Sequence, residues 1–136
     1  MQSFIFLLLA LVPLSSALLG IGRTQSISVT GKLVCKGEPA AGVKLKLYEK
    51  EAILDSLLQE SSSDANGQFH LSGKKTEISP IDPKLNIYHK CDYSGPCYQK
   101  IGITIPDDHI DSGEPYDVGT LNLANEYTGS NTDCLN

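Results

Sequence analysis

The sequence predicts an all-β fold: a seven- to eight-stranded antiparallel β-sandwich or open barrel, carrying disulfides. Three observations lead there. Runs of five to ten residues between Ser26 and Leu123 alternate apolar with polar side chains, the period of a half-buried strand. Clusters rich in Gly, Pro, Asn and Asp separate those runs, and no segment has the apolar spacing of a long helix. Four cysteines in 136 residues allow covalent staples on a domain of this size.

The elements follow in order. Ser26–Cys35 places Ile27, Val29, Leu33 and Cys35 on one side and Ser28, Thr30 and Lys32 on the other. Lys36-Gly37-Glu38-Pro39 reads as a turn. Val43–Glu49 alternates again, opposing Val43, Leu45 and Leu47 to Lys44, Lys46 and Tyr48. Leu57–Ser61 is a weaker strand, and the mixed spacing of Ala52, Leu54 and Leu58 leaves a helical turn open over 51–58. Asp64-Ala65-Asn66-Gly67 is a strong turn signal, with Gln68–Leu71 the strand after it. Pro80 and Pro83 make the next connection irregular. Leu85, Ile87, His89 and Cys91 then alternate with Asn86, Tyr88 and Lys90. Asp92–Pro96 is a loop, Cys97–Ile105 a strand, and Tyr116–Leu123 the last strand. The polar tail after Asn125 is expected to lie over the surface.

Residues Phe4–Leu14 form an unbroken apolar run of eleven, followed by small residues at Ser15 and Ala17. That is the pattern of an export signal cut after Ala17, and the run is shorter than the roughly 20 residues of a membrane span. The expected organisation is a signal peptide at 1–17, a single domain at 18–136, a secreted, extracellular product, and no transmembrane segment after cleavage. The chain has 16 Asp+Glu against 11 Lys+Arg, a formal charge of −5. Such a balance argues against a nucleic-acid partner, which needs a basic field to displace counterions.

An exported chain makes disulfides the default state of Cys35, Cys91, Cys97 and Cys134. Cys91 and Cys97 flank a hairpin loop on the same apolar face, which favours a Cys91–Cys97 bond and leaves Cys35 with Cys134. Four cysteines permit three pairings, and spacing alone does not choose among them. Metal binding by Cys91, Cys97 and His89 fits an exported protein less well.

The segments Val29–Leu47, Asp64–Gly73 and Asn86–Cys91, with Cys97, Ile105-Pro106 and Asp117–Leu123, together resemble the nematode transthyretin-like family. The resemblance implies a secreted transthyretin-like (prealbumin-like) sandwich. It also implies a role in binding a lipid or small ligand, or in cell-surface recognition such as bridging exposed phosphatidylserine to a receptor. The wider superfamily includes 5-hydroxyisourate hydrolases, which use a His on the first strand, an Arg after the Asp-Gly turn, a second His near the last strand and a closing Tyr-Arg-Gly-Ser. Here Thr30 and Gln68 stand at the first two positions. Tyr127-Thr128-Gly129-Ser130 echoes the tetrapeptide without its Arg, and no His lies near the last strand. Without a base to activate water or a cation to hold an anionic substrate, a non-enzymatic protein with no cofactor is expected. His70 and His89 lie on predicted strands, with His89 on the apolar phase as a hydrogen-bonded core residue. Ser61-Ser62-Ser63 lacks the glycines of a nucleophile elbow.

Three surface features remain as candidate sites. Lys44, Lys46 and Tyr48 on one strand face, with Lys50 just beyond, could meet anionic lipid headgroups, or could simply be a solvated face. Asp107, Asp108 and Asp111, with Glu114 and Asp117 nearby, could hold Ca²⁺, although their spacing matches no EF-hand. Tyr88, Tyr93 and Tyr98 could serve a protein partner such as a cell-surface receptor. A hydrophobic small molecule between the sheets is the alternative ligand.

Overall fold

The computed structural model describes residues 22–136, and the expected export signal at 1–17 lies outside them. Among the described residues nine strands form: β1 (Arg23–Cys35), β2 (Glu38–Pro39), β3 (Lys44–Glu49), β4 (Ser56–Ser62), β5 (Gln68–Glu77), β6 (Pro83–His89), β7 (Tyr98–Thr104), β8 (Tyr116–Asn122) and β9 (Asn131–Asp133). A 3₁₀ turn spans Asp107–His109. One sheet runs β2-β1-β5 with β8 also on β1; the other runs β4-β3-β6-β7-β9.

The inward phases read from the sequence meet between the sheets. Ile27, Val29 and Leu33 of β1 and Phe69 and Leu71 of β5 pack against Leu45 and Leu47 of β3, Leu85 and Ile87 of β6 and Ile101 of β7. Ile81, Ile105 and Leu123 close the same cluster. Gly31 sits opposite Phe69, and a Cβ there would come within 2.5 Å of Val118 Cγ2 and 2.7 Å of Phe69 Cζ. The missing side chain is what lets the Phe69 ring lie across β1.

Four details depart from the sequence expectation. Every pairing is antiparallel except β1 with β8, which is parallel. The long connection after β7 carries the chain back to the first sheet, and that length permits a parallel entry. Lys36-Gly37 turns the chain with φ of 52° and 87°, the geometry of a two-residue hairpin, so Glu38 and Pro39 pair back onto Cys35 and Val34 as β2. No helical turn forms over 51–58; the Glu51 N–H instead finds the Asp55 carboxylate at 3.1 Å, and β4 begins at Ser56. β1 starts earlier than expected because Gln25 occupies an inward position. Its amide donates to the carbonyls of Ser79 (2.9 Å) and Glu77 (3.3 Å) and accepts the Ile81 N–H (2.9 Å).

The disulfide pairing is also corrected. The bonds are Cys35–Cys91 and Cys97–Cys134, with Cα separations of 5.8 and 4.5 Å, and not Cys91–Cys97 with Cys35–Cys134. Cys91 and Cys97 would oppose each other if the β6–β7 ladder continued, but it stops at His89↔Gln99. Asp92 and Cys97 then adopt φ of 53° and 67°, which swings the loop out of the hairpin plane. Cys91 is left free to reach across to the end of β1. Cys97 faces the tail, which pairs with β7 as β9 from Tyr98↔Asp133 onward, so Cys134 falls opposite Cys97. The tail is a strand stapled to the second sheet and not a loose surface loop.

Each bond closes a loop long enough to contribute about 4 kcal/mol by chain entropy. Non-reducing peptide mapping should recover Cys35–Cys91 and Cys97–Cys134 as linked pairs; a Cys91–Cys97 peptide would contradict this architecture. Removing the inter-sheet bond as Cys35→Ser with Cys91→Ser should lower unfolding stability by about 4 kcal/mol in urea titration.

Candidate functional site: a lysine-bearing sheet face

Alternation along β3 turns Lys44, Lys46 and Tyr48 away from the core, as expected, with Lys50 just past the strand end. Sheet register adds residues distant in sequence. Tyr88 lies beside Lys44, Asn86 beside Lys46 and Lys84 beside Tyr48. On the next strand Lys100, Gly102 and Thr104 continue the same rows. One face therefore collects Lys44, Lys46, Lys84 and Lys100 around Tyr48, Asn86 and Tyr88.

The lysines are not equivalent. Lys46 is 14% exposed, 3.9 Å from Glu60, with its ammonium 5.5 Å from the Tyr88 ring centroid. Lys100 pairs with Asp133 of β9 at 3.5 Å. Lys44 donates to Asn136 Oδ1 at 3.2 Å, and neither it nor Lys84 has a carboxylate within 4.0 Å among the described residues. Lys44 and Lys84 are thus the cations least neutralised on this face. Tyr88 is buried beneath the lysine stems and accepts a hydrogen bond from Asn86 Nδ2 at 3.3 Å. Burial pushes its hydroxyl up to about 12, so it stays neutral in any physiological medium. Asn86 Oδ1 is buried with no hydrogen-bond partner. Gly102 leaves the gap that the Lys84 stem crosses; a Cβ there would lie 2.8 Å from Lys84 Cε and 3.4 Å from Asn86 Oδ1.

The acidic candidates do not converge. Asp107 and Asp108 open the 3₁₀ turn, whereas the Asp111 carboxylate points back at β1. It accepts from the Ser26 N–H (2.8 Å), Ser26 Oγ (3.1 Å) and Arg23 Nη1 (2.9 Å). These donors, the Ser26 backbone first, hold it below the usual carboxylate range. Asp111 is thereby committed to tying the loop to β1, and Asp108 lies 3.7 Å from His109. The one trio of acids whose oxygens gather within 4.8 Å among the described residues is Glu49, Glu51 and Glu77.

The hydrolase-related positions divide. Thr30 and Gln68 do line one groove of about 620 Å³, together with Lys32, Asp64, His70 and Asp117. His70 Nε2 lies 2.6 Å from Ser28 Oγ, a contact the sequence did not suggest, and no carboxylate bonds to its ring among the described residues. Tyr127 and Ser130 line a different groove, with His89 and Tyr93. His89 is the buried core histidine expected: its Nδ1 accepts the Cys91 N–H at 3.0 Å, and burial lowers its proton affinity. The tyrosines do not form one patch. Tyr88 is buried, Tyr93 donates to the Pro96 carbonyl of its own loop at 2.9 Å, and Tyr98 lies under Lys90 with 5.2 Å from ammonium to ring centroid. Between the sheets the core side chains pack against one another.

Two packed sheets, a disulfide between them and a second one holding the tail strand define a small transthyretin-type β-sandwich with a lysine-bearing face. The profile of the transthyretin-like family matches residues 30–106. The chain is 46% identical over 138 residues to Transthyretin-like protein 5 of Caenorhabditis elegans, covering 96% of this chain and 98% of that protein. Transthyretin-like protein 2 of the same organism is 38% identical over 148 residues, covering all of both chains. Transthyretin-like protein 33, also from that organism, is 42% identical over 119 residues, covering 82% of this chain and 83% of its own. The chain belongs to the transthyretin-like family.

Asp111→Asn should lower the melting temperature at neutral pH. The native carboxyl titrates below its unfolded value of 3.8, so its contribution is present above that pH and disappears as the pH falls through the native value. The gap between wild type and variant should therefore close in acid; a gap unchanged down to strong acid would refute the role given to Asp111.

Proposed function

We propose that this chain is an exported, non-enzymatic binding protein that uses the outer face of the β3-β6-β7 sheet to recognise an anionic lipid or cell-surface ligand, acting as an extracellular adaptor. The observation that carries the reading is the register that brings Lys84 and Lys100 into line with Lys44 and Lys46. A chain with a formal charge of −5 gains nothing from its overall field near an anionic surface, so a local cluster must supply the attraction. Each lysine near such a membrane contributes about 1 kcal/mol. The apolar run at Phe4–Leu14 and two disulfides favour export to an oxidising compartment. The separation of Thr30 and Gln68 from Tyr127 favours binding over hydrolysis of the 5-hydroxyisourate type.

Sedimentation with vesicles, with and without phosphatidylserine, tests this directly. Binding should require the anionic lipid, weaken with added salt, and persist in chelator. Lys44→Glu with Lys84→Glu should weaken it at least tenfold while leaving the circular dichroism unchanged. Equal binding by wild type and variant would place the site elsewhere, and no binding under any condition would remove the lipid reading.

A further inference from the structure

Glu49 ends β3 on the inward phase set by Leu45 and Leu47, so the sheet places a carboxyl group, 1% exposed, where an apolar side chain belongs. Its neighbours in register, Ser56 of β4 and Pro83 of β6, carry no charge. Glu77 is the last residue of β5, in the opposite sheet, and Glu51 follows in the β3–β4 loop; oxygens of all three lie within 4.8 Å of one another.

The surrounding groups leave Glu49 without a cation. Lys75 of β5 lies 3.3 Å from Glu51 and donates to Ser56 Oγ. Arg23 of β1, opposite Glu77 in register, extends to Asp111. Lys84 of β6 lies on the outward phase, and Lys50 is exposed beyond the strand end. Asp55 accepts the Glu51 N–H, and Asp82 of the β5–β6 connection offers Glu49 its backbone N–H at 3.3 Å. Gln25 beneath is neutral, its amide bonded to the Glu77–Ile81 backbone. A buried carboxyl beside another carboxyl, with no cation, keeps its proton and donates it to the neighbour.

We propose that Glu49 and Glu77, with Glu51 beside them, form a proton-operated latch between the two sheets. One shared proton holds the end of β3 to the end of β5. Its loss to solvent leaves the buried Glu49 carboxylate facing the half-buried Glu77 carboxylate and loosens the loop at residues 50–55. That loop carries Ile53 and Leu54, 99% and 77% exposed, and Ile78 adjoins Glu77. The latch therefore governs an apolar tip at the end of the sandwich remote from the Cys35–Cys91 bond.

Burial, reinforced by the hydrogen bond with Glu77, raises the Glu49 carboxyl from 4.5 to about 7. The native state then binds the extra proton between those values, so stability is highest in mild acid, falls as the pH rises toward about 7, and levels off above. The test is urea unfolding of wild type and Glu49→Gln from pH 4.5 to 8.5, with hydrogen exchange of residues 50–55 corrected for intrinsic rate. Relative to the variant, the wild-type unfolding constant should rise by up to tenfold per pH unit across the window, and its loop should exchange faster above pH 7. Glu77→Gln should flatten the profile in the same way, and serves if Glu49→Gln does not fold. Equal pH profiles for wild type and variant would overturn the latch. So would millimolar Ca²⁺ that stabilises wild type alone at pH 8, since the cluster would then be a cation site.

Discussion

The Cys35–Cys91 bond joins the last residue of β1 to the chain just beyond β6, and so holds the two sheets together at one end of the sandwich. Everything else is arranged from that constraint. With β1 and β6 held, the apolar faces of both sheets close over one core, and the outward phase of β6, Lys84, Asn86 and Tyr88, faces away from it. At the far end no disulfide joins the sheets among the described residues. There the sheets meet through polar groups: Gln25 bonded to the backbone of the β5–β6 connection, and Glu49 against Glu77. A sandwich this small compensates for a limited core by cross-linking, and here the cross-linking is asymmetric.

That asymmetry shapes the surface as well. Because β3, β6 and β7 are adjacent and antiparallel, lysines far apart in sequence become neighbours in rows. The β9 tail, stapled by Cys97–Cys134, lays Asp133 and Asn136 against the edge of this face and partly neutralises it. Lys44 and Lys84 remain the least shielded cations, beside a buried tyrosine and an asparagine oxygen without a partner. An acidic protein thus carries a compact basic surface whose reach is local, since charges beyond about 8 Å are screened in physiological salt.

Much of the fold was legible because strand periodicity is local. Ile27, Val29 and Leu33, Leu45 and Leu47, and Leu85 and Ile87 all face inward as their alternation requires. His89 is the satisfied core histidine that its phase implied. Where the reading failed, the deciding interaction was non-local or chiral. Gln25 concealed the true start of β1, since a buried amide is tolerated only because three backbone groups elsewhere satisfy it. Alternation alone pairs Cys91 with Cys97, whereas left-handed residues at Asp92 and Cys97 end the ladder that it would extend. The acidic loop reads as a cluster in sequence, yet Asp111 turns to a donor on β1, Ser26, that lies 85 residues away.

By itself the sequence determined the fold class, the longer strands, their inward and outward phases and the family, because all of these follow from side-chain period and from segments read in order. It also placed Lys44, Lys46 and Tyr48 on the outward face of β3. Only the tertiary structure decided which cysteines pair, that β8 runs parallel to β1, that Lys84 and Lys100 complete the basic face, and that Glu49 meets Glu77 between the sheets. The reason is common to all four. Each depends on which strands lie side by side and in what register, and register is settled by the packing of the whole core and the direction of its turns.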